Sequence, residues 1–562
     1  MNAKKSTEES LKAQGNQAFH KKEYQKAIKF YSQGIKSFPT NPIFYLNRAL
    51  AYISIHFYQE SLADLSQARF LDPKNPKIYY RTALVLELSG EYEKAIETLH
   101  EFISFGIESA EICELLSELN EKKDKVVRPH LSERKKFEEL LRWTSAAGGE
   151  FPKIYLEYYS EDYRGVHCQK AILPEETIIF IPYQHLLTLQ VTKQTPLAKK
   201  LIKSGFDLNY GSDCFFAAFI LLEQSNPDSF WSPYINMLPQ SFKNFPIFFT
   251  ESEKKYFIGS PFLDLINERF EGIQDDYKAI CAIDESFVKY SLIDFCKARM
   301  SANSRIFAIT VGNQETEALA PLADMVNHQV VRNASWTYSN ERGGFVVKAE
   351  KPIAKGEQIF DTYGTKSNTR YLLSYGFIQD SNVFDDYPYV VRLTTTLPHY
   401  RTKCAYLREN YHIVRLGAKL DHRFLVFLSC LRFYEEPNEE KVNEFISNCM
   451  SNNSRIDPAT YKLSSMETEK LAIRKFIYLT EDFLSKYPTS LDADKEKLKG
   501  KLSENEINSL KLIISEKEIL TFFKKVLPEL YNVIDSVPNL NTPGLSPSIK
   551  FYTEKVLIPL HS

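Results

Sequence analysis

The chain has 562 residues, 43% hydrophobic and 25% charged, within the range of ordinary globular proteins. Its 70 Lys and Arg balance 72 Asp and Glu, so the net charge of −2 gives no electrostatic case for nucleic acid. None of the eight cysteines forms a C-x-x-C pair, which argues against zinc clusters and a disulfide framework and suits a reducing compartment. The N-terminal MNAKKSTEES has no apolar signal core, and runs such as FFAAFILL at 215–222 are too short to span a membrane. A soluble, cytoplasmic, monomeric protein is expected, with nuclear entry left open.

The first 120 residues repeat. Tyr24, Tyr58 and Tyr92 are 34 residues apart, as are Gly15, Ala49 and Ala83, then Tyr31, Leu65 and Leu99. Pro39 and Pro73 follow the same step. A 34-residue period of paired amphipathic helices is the tetratricopeptide (TPR) signature. Small residues at 15, 49 and 83 let paired helices approach closely, and EICELLSEL supplies a capping helix. Residues 1–122 are therefore expected to form an all-α superhelix, with a concave groove for a partner.

Five groove residues have no packing reason. Lys12 and Asn16 share a helix face, as do Lys77 and Arg81, and Asn47 occupies the matching helix of repeat two. Three cations and two amides on one concave face make a socket for carboxylates. The stretches LKAQGN, YLNRA and KIYYR resemble the carboxylate-clamp TPR domains of chaperone cofactors. That resemblance implies a partner: the acidic Glu-Glu-Val-Asp tail of heat-shock chaperones.

NEKKDKVVRPHLSERKK is charged and contains a proline, so residues 123–134 read as a linker, with a helix continuing from the last repeat as the alternative. Beyond it, YRGVHCQKAILPEETIIFIP and SWTYSNERGGFVVKAEKPIAKGEQIFDTYG read as strands and turns. Both carry K-x-I-x-x-x-E-x-I: Lys170, Ile172, Glu176 and Ile178 against Lys351, Ile353, Glu357 and Ile359. Residues 185–300 between them have helical spacing. The expected fold is multidomain α+β, in which a β-rich unit is split by a helical insertion.

The stretch PLADMVNH sets Asp324, Asn327 and His328 in an apolar run. With the later DTYGTKSN and YLLSYGF, it resembles SET-domain protein methyltransferases of the Rubisco-large-subunit and actin-histidine type. The resemblance covers 135–385, and 386–562 resembles, more weakly, the helical substrate-binding domain of that group. It implies S-adenosylmethionine as cofactor and a protein substrate. It assigns cofactor binding to Asp162, Arg164, Gly165, Arg305, Asp324, Asn327, His328, Tyr375, Gly376 and Phe377, and catalysis to Tyr363. Phe307, Ala323, Tyr363 and Tyr375 would line the substrate channel. Tyr163 stands where the group has the first glycine of its cofactor loop.

A tyrosine oxygen can accept from an amine and aim its lone pair at a methyl group. An aromatic channel disfavours ammonium by desolvation, so no dedicated carboxylate base is needed. Lysine is the expected acceptor. Phe307 gives a hydrocarbon wall where the histidine-methylating relative carries a polar residue, and Ala323 is small where that relative has a bulky ring. Histidine methylation, and a non-enzymatic TPR adaptor with an inactive SET unit, are the alternatives. The missing cysteine clusters argue against the variant with MYND zinc and C-terminal helical repeats.

Overall fold

The computed structural model describes residues 2–557 apart from 56, 89, 90, 108, 128–130, 152, 161, 162, 210, 408–410, 452–455, 463 and 537–546. It divides into two compact units. One comprises Met1–Trp143, Lys153–Ala171 and Ala354–Ile359; the other comprises Thr144–Pro152, Ile172–Ile353 and Phe360–Ser562.

The first unit opens with helix pairs: α1 (Asn2–His20) with α2 (Tyr24–Ser37), α3 (Pro42–Ser54) with α4 (Tyr58–Leu71), and α5 (Pro76–Leu88) with α6 (Tyr92–Ile103). The periodic tyrosines 24, 58 and 92 are the first residues of α2, α4 and α6. Gly15 is required by a close approach: a Cβ there would lie 2.3 Å from the Tyr31 ring. Ala49, Ala83, Leu65 and Leu99 are buried at the equivalent places. The prolines mark a second repeated device, since Tyr45 donates to the Pro39 carbonyl at 3.2 Å and Tyr79 to that of Pro73 at 2.9 Å. Arg48 adds a polar tie between helices, donating to both Asp64 oxygens at 2.8 and 2.7 Å and to Ser32 at 2.8 Å.

α7 (Ala110–Val127) and α8 (Leu131–Ala146) follow. The charged stretch read as a linker is thus helical on both sides of residues 128–130, which lie outside the described residues. Its Lys and Glu are good helix formers, and charge alone does not break a helix. The unit also holds the antiparallel pair β1 (Ile154–Tyr158) and β2 (Arg164–Cys168).

In the second unit, β3 (Thr177–Pro182), β4 (Leu187–Thr188), β5 (Ile306–Val311), β6 (Gln314–Leu319), β7 (Asn327–His328), β8 (Ala334–Ser339), β9 (Gly344–Ala349) and β10 (Phe360–Asp361) form small sheets. Their orders are β3-β9-β8, β4-β6-β5 and the parallel pair β10-β7. The two K-x-I-x-x-x-E motifs prove to be matching turns. Ile172 and Ile353 exchange backbone hydrogen bonds at 2.9 and 3.0 Å. Glu176 accepts from the Leu173 N–H at 3.0 Å, and Glu357 from the Ala354 N–H at 2.9 Å.

Between β4 and β5 the chain is mainly helical, with Gly211–Gln224, Pro261–Ile283 and Leu292–Asn303 the longest helices. A fully buried ion pair, Arg299 Nη1 to Asp276 Oδ2 at 2.9 Å, joins the last two. After these strands, β11 (Tyr387–Arg392) and β12 (Tyr411–Leu416) pair antiparallel ahead of the helical C-terminal region. There the Tyr389 ring meets Phe427, Phe476, Phe483 and Phe523 at centroid distances of 5.0–5.5 Å. Among the described residues no helix is long and apolar enough to cross a membrane.

Candidate active site

PLADMVNH lies in the second unit as a tight turn leading into β7. Leu322 is buried with φ of +70°, a conformation that costs a non-glycine residue about 1–3 kcal/mol. The following turn, Ala323–Met325, leads into Asn327 and His328, which pair in parallel with Phe360 and Asp361. Parallel strands cannot be joined by a tight hairpin. The intervening β8 and β9 make the crossover, and the strand ends carrying Asn327, His328 and Tyr363 converge.

Their hydrogen bonds fix that convergence. The Tyr363 N–H donates to His328 Nδ1 at 3.0 Å, and the Tyr363 hydroxyl to the Val326 carbonyl at 3.1 Å. With Nδ1 accepting, the proton of neutral His328 sits on Nε2, which finds no hydrogen-bond partner among the described residues. Burial, then Lys366, push the His328 pKa down to about 4, so the ring is neutral at pH 7. Tyr363, Tyr371 and Phe377 surround it at centroid distances of 5.2, 5.0 and 5.6 Å. Burial drives the Tyr363 pKa well above that of a free phenol, so its hydroxyl stays protonated.

A cavity of about 440 Å³ opens beside this convergence. The sequence-predicted Arg305, Phe307, Ala323, Asp324, Tyr363 and Tyr375 all line it. Asp324 is held from the insertion: the Tyr234 hydroxyl donates to its Oδ2 at 2.6 Å, and Arg305 Nε lies 3.7 Å from the same oxygen. Phe307 packs edge-on against Trp336 at 5.0 Å and Phe345 at 4.9 Å. Tyr375 stacks on Tyr363 at 4.9 Å. Gly376 closes the helix Asn368–Tyr375, and its carbonyl accepts from Asn244 at 3.2 Å.

Arg164 and Gly165 lie on β2, in the first unit. A Cβ on Gly165 would fall 2.2 Å from Gln358 and 2.7 Å from the Tyr159 hydroxyl. Tyr163 is exposed, and its ring packs against Tyr159 at 4.9 Å. Asp162 lies outside the described residues.

Sequence reasoning passed over Tyr234, Trp336, Asp361 and Lys366. Lys366 sits in the quoted DTYGTKSN, and its ammonium reaches the Tyr363 carbonyl and lies 5.7 Å from the Tyr375 ring centre. Burial raises the Asp361 pKa to about 6. Tyr234 had no local signal, because only the fold brings the insertion to Asp324.

In the first unit, Asn16 and Asn47 meet, with Nδ2 of Asn47 3.3 Å from Oδ1 of Asn16. The same oxygen accepts from the Tyr31 hydroxyl at 2.8 Å, a phenol not foreseen. Arg81 donates to the Leu46 carbonyl at 2.6 Å, and its charge acts on Tyr31. Lys12 and Lys77 sit one helical turn before Asn16 and Arg81; Lys12 is half-buried and Lys77 exposed.

Comparison with known proteins gives this arrangement its class. The SET domain family model matches residues 163–364, and the Rubisco LSMT substrate-binding model matches 396–520. The chain thus carries a SET domain followed by a Rubisco LSMT substrate-binding domain, preceded by a TPR-like helical region. It is similar to the actin-histidine N-methyltransferase of Papio anubis, at 25% identity over 412 residues, 68% of this chain and 67% of that one. The crystal structure of the SET domain of LSMT bound to MeLysine and AdoHcy shares the fold. Its TM-score is 0.59 at 18% identity, over 74% of this chain and 98% of that one. The Arabidopsis OM64 TPR domain matches 21% of this chain and 98% of its own at 26% identity, with a TM-score of 0.20.

Proposed function

We propose that the protein transfers a methyl group from S-adenosylmethionine to a lysine side chain of a protein substrate. The observation that carries this reading is the single cavity on which Arg305, Asp324, Tyr363, Tyr375 and Phe307 converge. S-adenosylmethionine supplies a methyl group on a cationic sulfonium. The residues present fit it: Arg305 would pair with its carboxylate, and the ring faces of Tyr363 and Tyr375 suit a cation. The His328 Nε2–H, without a partner among the described residues, is a buried donor of the kind a bound ligand satisfies. Asn327 and His328 would hold the cofactor, with Gly376 and Phe377.

Tyr363 is the group proposed to work on the acceptor. Its protonated hydroxyl and the Val326 carbonyl provide oxygens that orient an amine. The hydrocarbon wall of Phe307 and Trp336 suits a four-carbon stem. Burial disfavours the ammonium, as it already does for Lys366, and so favours the free amine needed for attack. Histidine is the second reading, favoured by the actin-histidine methyltransferase relatives.

The TPR-like region is proposed to clamp the acidic C-terminal tail of heat-shock chaperones through Lys12, Asn16, Asn47, Lys77 and Arg81, bringing chaperone-held clients to the enzyme. A cytoplasmic site of action is consistent with eight free cysteines. Mass-spectrometric comparison of protein methylation in cells with and without the protein tests the whole reading. Loss of defined methyllysines on deletion is expected. Methylhistidine as the sole difference overturns the lysine assignment, and no difference overturns the enzyme.

A further inference from the structure

A second cavity, of about 840 Å³, lies next to the catalytic one, and Lys366 lines both. Its walls come from the insertion at 265–269 and Asn303, from residues 365–374 after the catalytic tyrosine, and from residues 384–423. They carry six cationic side chains: Arg269, Lys366, Arg370, Arg415, Lys419 and Arg423. Three carboxylates oppose them, Glu268, Asp386 and Asp421.

Two of those carboxylates are already committed. Asp386 pairs with Arg415 at 3.1 Å. Asp421 lies 3.4 Å from Arg423 and 3.6 Å from Lys419, and it caps the helix His422–Glu435. Arg370 is exposed and has no ion pair among the described residues. Its charge also bears on Lys366, whose pKa is lowered first by burial and then by Arg370. Scattered surface lysines are solvated and carry little meaning. Cations gathered in a concave cleft focus their field and concentrate anions there. A substrate that inserts one residue into the 440 Å³ cavity must lay its neighbouring residues across this adjoining surface.

We propose that this cleft holds an acidic stretch of the protein substrate, next in sequence to the methylated residue. The proposal rests on the methyltransferase reading. Carboxylate side chains would pair with Arg370 and with the charge left over where Lys419 and Arg423 share the single carboxylate of Asp421, and the guanidinium forks can do so bidentately. A protein occupant is favoured over nucleic acid by the neutral overall charge and by the junction at Lys366 with the aromatic catalytic cavity.

The test uses the full chain and a fluorescein-labelled ten-glutamate peptide, acetylated and amidated so that no terminal carboxylate is offered to the TPR groove. Its ten-glutamine counterpart and a labelled oligo-dA serve as comparisons. By anisotropy, the glutamate peptide is expected to bind at least ~10-fold tighter than the glutamine peptide, a preference worth about 1.4 kcal/mol. The double variant Arg370→Glu/Lys419→Glu should erase it. Equal binding of the two peptides to the wild-type protein, undiminished binding by the double variant, or tighter binding of oligo-dA overturns the proposal. Titration of S-adenosylmethionine into the same wild-type sample separates the two readings. If the cofactor binds while the glutamate preference is missing, the cleft proposal alone fails; if the cofactor does not bind, the methyltransferase reading fails.

Discussion

Replacing Tyr363 by Phe removes one oxygen and little else. The ring keeps its stack on Tyr375 at 4.9 Å, and the backbone N–H keeps its bond to His328 at 3.0 Å. What goes is the hydroxyl and its 3.1 Å bond to the Val326 carbonyl. As a structural bond that is worth about 1 kcal/mol net, so affinity for S-adenosylmethionine should change by no more than ~5-fold. As a positioned group on the acceptor it should matter more. Orienting and proton-handling groups contribute about 10²-fold or more, some 2.7 kcal/mol on the barrier. The two magnitudes are far enough apart to tell roles apart. Calorimetric titration of S-adenosylmethionine gives the first. Tritium transfer into proteins of an extract prepared from cells lacking this enzyme gives the second. Turnover within ~3-fold of wild type, or turnover and affinity falling in parallel, would refute a catalytic role for this hydroxyl.

Lys77→Glu should reverse one attraction in the groove and remove most affinity for a peptide ending in Glu-Glu-Val-Asp. Amidating that peptide should do the same by deleting a charge, and equal anisotropy curves for free-acid and amidated peptides would end the clamp reading. Gly15→Ala places a Cβ 2.3 Å from the Tyr31 ring, an overpacking of about 1–3 kcal/mol against which helix propensity returns only about 1 kcal/mol. Lower thermal stability of the TPR-like region is expected by circular dichroism, with weaker tail binding because Tyr31 also holds Asn16. Glu516 is fully buried, and burial raises its pKa from 4.5 to about 7. Between those values the folded protein keeps a proton the unfolded chain has lost, so this group's contribution is complete below pH 4.5 and fades as pH rises towards 7. Glu516→Gln should flatten that part of the melting temperature against pH; identical pH profiles for variant and wild type would contradict the assignment.

The sequence alone settled what repeats and what alternates. The 34-residue period gave the helix pairs, because helix packing needs small residues wherever two axes approach, and Gly15, Ala49 and Ala83 recur on that step. Polar residues inside an apolar run must find partners, and Asp324 and His328 do. The K-x-I-x-x-x-E pair was legible as a pattern but not as two turns that bond to each other, since register between distant segments leaves no local mark. The charged stretch read as a linker, or as a helix continuing from the last repeat, is helical on either side of residues 128–130.

Tertiary structure decided the rest. Tyr234 reaches Asp324 from 90 residues away, and nothing near Tyr234 in the sequence announces a carboxylate. Tyr31, which its spacing marked only as a position on the repeat, joins the amides of Asn16 and Asn47. The basic cleft is invisible in a chain whose charges sum to −2, because its cations come from three separate segments between residues 269 and 423. Periodicity encodes local structure, which a chain carries along its own length. Electrostatic fields and cavities are sums over neighbours in space, and only the folded protein determines which residues those are.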